Sequence, residues 1–174
     1  MSIYLRTEDL ADYRPNVGIV LFNRDGRVFL GRRVGDFADV GEASDAYRWQ
    51  FPQGGIDAGE SSEAAAIREL KEETNVSIAR LLCITTGWLA YDFPEQIQKR
   101  KKWRGQRQKW AAMLFEGPEE EIDLCADDHQ EFDDWRWTAL EECLELIIPF
   151  KRPIYEEIVT SFSPLRDYLA STNR

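Results

Sequence analysis

The sequence predicts one α/β domain in which a mixed β-sheet lies between helices, and three observations carry that prediction. Two apolar runs flank an Asp25-Gly26 turn signal and read as a β-hairpin. A glycine-rich turn at residues 54–59 leads into a helix with a clear N-terminal cap. Beyond it, strand-like and helix-like segments interleave without the regular alternation of a doubly wound sheet, which points to a mixed sheet with helices on both faces.

In chain order, residues 17–22 and 28–33 form the hairpin around Asn23-Arg24-Asp25-Gly26. A polar loop at 34–48 follows. It is longer than the common connection of about 4–6 residues; a surface insertion and a lid fit it equally, and no function is assigned to it. A short strand is expected around 49–51. Ser61 or Ser62 caps the helix that Glu63-Ala64-Ala65-Ala66-Ile67 begins. Residues 81–88, 109–115 and 135–137, rich in aromatic and β-branched side chains, are predicted strands. Residues 139–146 and 153–169 are predicted helices, the second with Pro153 at the tolerated first turn.

The 174 residues contain no linker, repeat or low-complexity tract, so one core is expected, burying on the order of 70% of the unfolded surface. Residues 13–170 are the expected domain, between an extension at 1–12 and a tail at 171–174. The N-terminus carries Glu8, Asp9 and Asp12 and no apolar stretch of signal-peptide length. No apolar run approaches the ~18 residues of a membrane span. A cytoplasmic protein without membrane contact is therefore expected, acting as a monomer. Cys83, Cys125 and Cys143 form no CxxC pair and read as free thiols, and the single His129 reads as an exposed loop residue.

The chemistry is concentrated in residues 54–76. A helix turns about 100° per residue, so Glu69, Glu72 and Glu73 fall within an arc of roughly 100°. Two like charges about 4 Å apart repel by roughly 4 kcal/mol at an effective dielectric of about 20, and a divalent cation removes that repulsion. All-oxygen donors favour Mg²⁺ or Mn²⁺ over zinc. The plainer alternative is a solvated acidic face paired with Arg68 and Lys71.

Written out, Gly54-x5-Glu60-x7-Arg68-Glu69-Leu70-x-Glu72-Glu73-x-Asn75-Val76 resembles the Nudix box, the signature of hydrolases acting on nucleoside diphosphates linked to another moiety. The family has Gly where this chain has Asn75. That position ends the helix in a left-handed conformation, which Asn tolerates next best after Gly. The runs Tyr13-Arg14-Pro15-Asn16-Val17-Gly18, Trp49-Gln50-Phe51-Pro52-Gln53-Gly54-Gly55, Gly105-Gln106-Arg107-Gln108-Lys109-Trp110, Glu131-Phe132-Asp133-Asp134-Trp135 and Pro149-Phe150-Lys151-Arg152 are similar to the bacterial RNA pyrophosphohydrolases. They are equally similar to the related asymmetrical diadenosine tetraphosphate hydrolases. The resemblance spans about residues 13–160.

It implies the Nudix α/β/α sandwich and more than one Mg²⁺ or Mn²⁺ ion, held by Glu69, Glu72 and Glu73 with the Gly54 carbonyl and Glu131. Glu72 or Glu69 is the implied general base. Arg68 is implied to pin Glu60 and its loop. Arg14 and Lys109 are implied to lie near the phosphates, and Arg33, Tyr91, Phe150 and Lys151 to hold a base. The expected activity is removal of pyrophosphate from the 5′-triphosphate end of RNA, which starts RNA decay; the alternative is splitting diadenosine tetraphosphate into ATP and AMP. A binding module that had lost catalysis would lack one of the carboxylates, and none is missing.

The net charge of −10, from 22 basic and 32 acidic residues, is unfavourable for polyanionic substrates overall, but the local field governs binding. Lys99, Arg100, Lys101, Lys102, Arg104, Arg107 and Lys109 follow one another without an acidic residue, with Trp103 and Trp110 among them. A solvated loop and a surface for phosphates and stacked bases both suit that pattern. Its place just before the Gln108-Lys109-Trp110 strand favours substrate contact, with a longer polyanion preferred over a dinucleotide.

Overall fold

A computed structural model describes residues 10–35 and 47–172. The expectations for residues 1–9, for most of the 34–48 loop and for the last two residues lie outside the described residues. The strands are β1 (Tyr13–Phe22), β2 (Val28–Arg33), β3 (Trp49–Gln50), β4 (Gln53–Gly55), β5 (Ala79–Ile84), β6 (Leu89–Asp92), β7 (Gly105–Phe115) and β8 (Phe132–Thr138). Helices α1 (Ser62–Thr74), α2 (Glu95–Gln98), α3 (Cys143–Leu146) and α4 (Arg152–Thr172) complete the fold with short 3₁₀ turns.

The sheet is mixed, as expected. Its main path runs β3-β2-β1-β7-β5, with β4 added to β1, β6 to β7 and β8 to β2. β1 and β7 pair in parallel along their length, whereas β2, β4, β5 and β6 pair antiparallel to their neighbours. The C-terminal halves of these two central strands are buried on both faces, which is why residues 17–22 and 110–115 read as nearly unbroken apolar runs. Val17, Ile19 and Leu21 of β1 meet Ala111 and Met113 of β7 under α1, packed on Ala65, Ala66 and Leu70. Val20, Phe22, Trp110 and Leu114 face the other way, against Tyr155, Ile158 and Phe162 of α4. Helices thus cover both faces of the sheet.

Several boundaries differ from expectation, each for a local reason. The strand predicted at 81–88 ends at Ile84 as part of β5, residues 85–88 are a bend, and β6, which follows, is not among the predicted strands. β5 pairs with the C-terminal half of β7 and β6 with its first four residues, and the chain bends between them at Thr85–Gly87. Thr85 fills the gap: its N–H donates to the Trp110 carbonyl at 2.9 Å and its hydroxyl accepts from the Trp110 N–H at 3.0 Å. The segment 139–146 is a 3₁₀ turn running into α3. α2 and β4 carry too few residues to show a period.

The helix that matters most ends as its sequence indicates. Ser61 caps α1, its hydroxyl accepting from the Ala64 N–H at 3.1 Å. Asn75 closes it in the left-handed region at φ 63°, its N–H donating to the Lys71 carbonyl.

Candidate active site

Pairing of β4 with β1 sets Gly54 and Gly55 opposite Val17 and Asn16, directly beside α1. The approach is close: a Cβ on Gly54 would lie 1.9 Å from the Glu69 carboxyl group. Only glycine leaves Glu69 its place against the strand. Arg14 also crowds Gly55, where a Cβ would lie 2.6 Å from its Nη2.

The three glutamates of α1 differ in environment. The Glu72 side chain is 46% exposed, that of Glu69 only 12%, and Glu73 is buried. Glu73 shares the inward stripe of α1 with Ala66 and Leu70, so its carboxylate reaches under β4 and accepts the Gln53 backbone N–H at 3.1 Å. Burial, followed by the negative charge of Glu131, raises its pKa well above the usual carboxylate range. Burial raises Glu69 as well, against the opposing bond from Arg68.

Arg68 holds this end of the cleft together. It forms a two-pronged bond to Glu60 (Nε–Oε1 2.9 Å, Nη2–Oε2 2.8 Å), and its Nη2 also donates to the Gly55 carbonyl at 2.8 Å. Glu60 in turn accepts the Asp57 N–H at 3.0 Å, which closes the turn before α1. The guanidinium bond, followed by that backbone bond, brings the Glu60 pKa down to about 2. The Nη1 of Arg68 bridges Glu69 at 2.8 Å and Glu72 at 3.1 Å.

Arg68 thus engages two of the three carboxylates of α1, and no three acidic, His or Cys side chains among the described residues converge on one ion-sized point. The donor set nonetheless fits a hard cation. Glu73 is buried with Glu131 and Glu69 acting on it as like charges, and Arg33 is the cation that offsets them. A divalent ion relieves that imbalance where a solvated acidic face would have none.

These residues occupy one end of a cleft of about 440 Å³. Arg14, Arg33, Gly54, Glu69, Glu72, Glu73, Tyr91, Glu131, Phe150 and Lys151 all line it. At the other end the Tyr91 ring lies 5.8 Å from that of Phe150, and Lys151 Nζ lies 6.0 Å from Tyr91. Lys151 is buried and donates to Gln50 Oε1 at 3.2 Å and Gln53 Oε1 at 3.5 Å. Burial, helped by the charge of Arg33, lowers its pKa to about 7.

Lys109 is the exception among the expected site residues. β7 runs in unbroken register with β1, so its side chains alternate: Gln106 and Gln108 share the cleft face with Trp110, and Arg107 and Lys109 share the α1 face. Lys109 Nζ donates to the Thr85 carbonyl at 3.3 Å and to that of Thr86, and lies 5.1 Å from the Trp88 ring. It does not line the cleft.

A buried amide network floors the cleft and was not anticipated. Gln108 Nε2 donates to Asn16 Oδ1 at 2.9 Å and reaches Gln53 and Gln106 at 3.4 Å, while the Tyr91 hydroxyl donates to Gln106 at 2.6 Å. The signal lay in the sequence: Trp110 is an obvious core residue, and the two-residue period of a strand puts Gln108 and Gln106 on its face. Among the cysteines, Cys83 and Cys125 are exposed free thiols and Cys143 a buried one. His129 is an exposed residue at the cleft rim.

A family model described as "NUDIX domain" matches residues 12–158. An RNA pyrophosphohydrolase of Caulobacter vibrioides is 53% identical over 158 residues, covering 88% of this chain and 88% of that protein. One of Rhodospirillum rubrum is 48% identical over 154 residues, covering 87% of each. The E. coli dihydroneopterin triphosphate pyrophosphohydrolase superposes with a TM-score of 0.61 at 18% identity, over 86% of this chain and 98% of that one. A C. elegans Ap4A hydrolase does so with a TM-score of 0.59, also at 18% identity, over 87% of this chain and 98% of that one. The two structural likenesses bear on the fold alone.

Proposed function

This chain belongs to the Nudix family of hydrolases, and from that premise we propose that it cleaves a phosphoanhydride bond at the 5′ end of RNA. Pyrophosphate leaves the 5′-triphosphate end, and the remaining 5′-monophosphate opens the transcript to decay. One observation carries the reading: a single cleft holds clustered carboxylates at one end and an aromatic and cationic pocket at the other. The relatives named RNA pyrophosphohydrolase, 48–53% identical, supply the substrate class.

Glu69, Glu72 and Glu73, with the Gly54 carbonyl and Glu131, would hold Mg²⁺ or Mn²⁺, more than one ion. Bound there, such a cation supplies charge that offsets the phosphates and lowers the pKa of a water. Arg14, extended beside Gly55, presents its fork to phosphate oxygens. Tyr91 and Phe150 offer ring faces to a base, with Lys151 and Arg33 beside them as donors. Glu69 or Glu72 accepts the proton of the attacking water. Arg68 and Glu60 position the turn and the first two carboxylates without touching substrate. In-line attack then needs no covalent intermediate on the protein.

The enzyme works as a monomer in the cytoplasm, with residues 13–170 as its one catalytic domain. Among the described residues no helix is long and apolar enough to cross a membrane. The test is product identity: with Mg²⁺, triphosphorylated RNA yields monophosphorylated RNA and pyrophosphate. Intact triphosphate ends, alongside diadenosine tetraphosphate split into ATP and AMP, reassign the enzyme to dinucleotides.

A further inference from the structure

The basic run between residues 99 and 109 does not make one surface. Arg107 and Lys109 point to the α1 face, where both lie over Trp88 at 5.0 and 5.1 Å from the ring. Arg104 is turned to Asp92, to whose carboxylate its Nε and Nη2 donate at 2.8–3.2 Å. Lys99 pairs with Glu95 at 2.7 Å, and Lys102 lies 5.3 Å from the Trp103 ring.

Lys101 differs from these. It lines the cleft with Phe93 and Ile97, its Nζ 5.9 Å from the Phe93 ring. Its backbone N–H donates to the Ile97 and Gln98 carbonyls, but its ammonium makes no hydrogen bond or ion pair among the described residues and is available to a ligand. The wall that carries it is fixed at its base. The Phe93 N–H donates to the Arg104 carbonyl at 3.0 Å, the Arg104 N–H to the Asp12 carbonyl at 3.0 Å, and the Gln98 side chain to the Phe93 carbonyl at 2.7 Å. Tyr13 donates a short hydrogen bond to the same Asp92 that holds Arg104.

Its position along the cleft determines what it meets. The carboxylates lie at one end and Tyr91 at the other; the Phe93 ring lies 5.8 Å from that of Tyr91, and Lys101 stands over Phe93 in the same cleft. A substrate with its phosphate chain on the carboxylates and a base at Tyr91 continues past Phe93 only if it is a polymer. We propose that Lys101 holds the phosphodiester backbone of RNA downstream of the 5′-terminal nucleotides, and so sets a preference for RNA chains over short polyphosphates. This rests on the reading of RNA as substrate. A lysine acts there as a point charge, so it favours strand length without selecting sequence.

The test compares the intact protein with Lys101→Ala on triphosphorylated RNA several nucleotides long and on diadenosine tetraphosphate, across a salt series. Arg80→Ala, which removes an exposed positive charge outside the cleft, controls for net charge. For Lys101→Ala the expected result is a rise in KM for RNA of roughly three- to tenfold, with the slope of log KM against log salt lowered by about 0.7, as for one lost single-strand phosphate contact. Turnover of the dinucleotide stays as it was, and Arg80→Ala leaves both substrates unaffected. An unchanged KM for RNA, or equal losses on both substrates, overturns the assignment of Lys101. Failure of the unaltered protein to hydrolyse triphosphorylated RNA overturns the substrate reading itself, and this proposal with it.

Discussion

The backbone N–H of Gln53 donates to the buried Glu73 carboxylate at 3.1 Å, while the Gln53 side chain accepts from Lys151. One residue of β4 thus joins the carboxylate end of the cleft to its base end. Glu73 is buried among like charges, and this backbone donor together with the charge of Arg33 leaves its pKa still raised well above the usual carboxylate range. That imbalance is the strongest sign of a cation site in the molecule.

Glu73→Gln follows from it directly. The amide keeps the shape and removes the repulsion from Glu131 and Glu69, so the metal-free protein should be at least as stable as the unaltered one. Turnover should fall by roughly two to four orders of magnitude, and the rise in Tm on adding Mg²⁺ should shrink. Thermal unfolding with and without Mg²⁺ checks this. Near-normal turnover together with an intact Mg²⁺ shift would show that Glu73 is not a ligand.

Gly54→Ala tests the packing of the same end. The added methyl group would meet the Glu69 carboxyl at 1.9 Å, so either the carboxylate or the strand moves. We expect a loss of activity on the order of a hundredfold or more, since misplacement by about 1 Å is enough to cost that much. A fully active Gly54→Ala enzyme would mean that the position of Glu69 is immaterial.

Asn75 offers a stability test away from the chemistry. Its φ of 63° suits Asn or Gly, and its side chain also accepts from Lys71 Nζ at 2.6 Å and donates to the Glu121 carbonyl at 3.0 Å. Asn75→Ala loses both advantages and should cost about 1–2 kcal/mol by denaturant unfolding. Asn75→Gly loses only the side-chain bonds and should fall between the two. The reverse order would contradict the cap.

Lys151 ties stability to pH. Burial and Arg33 lower its pKa from 10.5 to about 7, so between those values the unfolded chain binds the extra proton. The stability the neutral amine allows is therefore complete above pH 10.5 and lost as pH falls through about 7. Lys151→Met should stabilise the protein below neutral pH, by on the order of 1–4 kcal/mol, with the gain fading toward pH 10.5. Paired melts at both ends of that range check it; a gain independent of pH contradicts it. Activity should fall at the same time, because the donor beside the base is gone.

What could be read from the sequence was what depends on near neighbours in the chain. The Ser61 cap, the Asn75 stop and the three-glutamate face of α1 are set within a few residues, as is the Asp25-Gly26 turn. The fates of Lys109 and Lys101 were not local. Lys109 turns from the cleft because the pairing of β7 with β1 sets its phase, and Lys101 lines the cleft beside Phe93 while Asp92, Glu95, Trp88 and Trp103 engage Arg104, Lys99, Lys109 and Lys102. The Asn16, Gln53 and Gln108 network joins three separate strands, so it exists only once the sheet has formed.

The central claim is that this cleft removes pyrophosphate from RNA ends, and a competition assay tests it most directly. Triphosphorylated RNA and diadenosine tetraphosphate at equal concentration, with the protein and Mg²⁺, should give monophosphorylated RNA and pyrophosphate with the higher kcat/KM. Preferential formation of ATP and AMP, with triphosphate ends left intact, would contradict it.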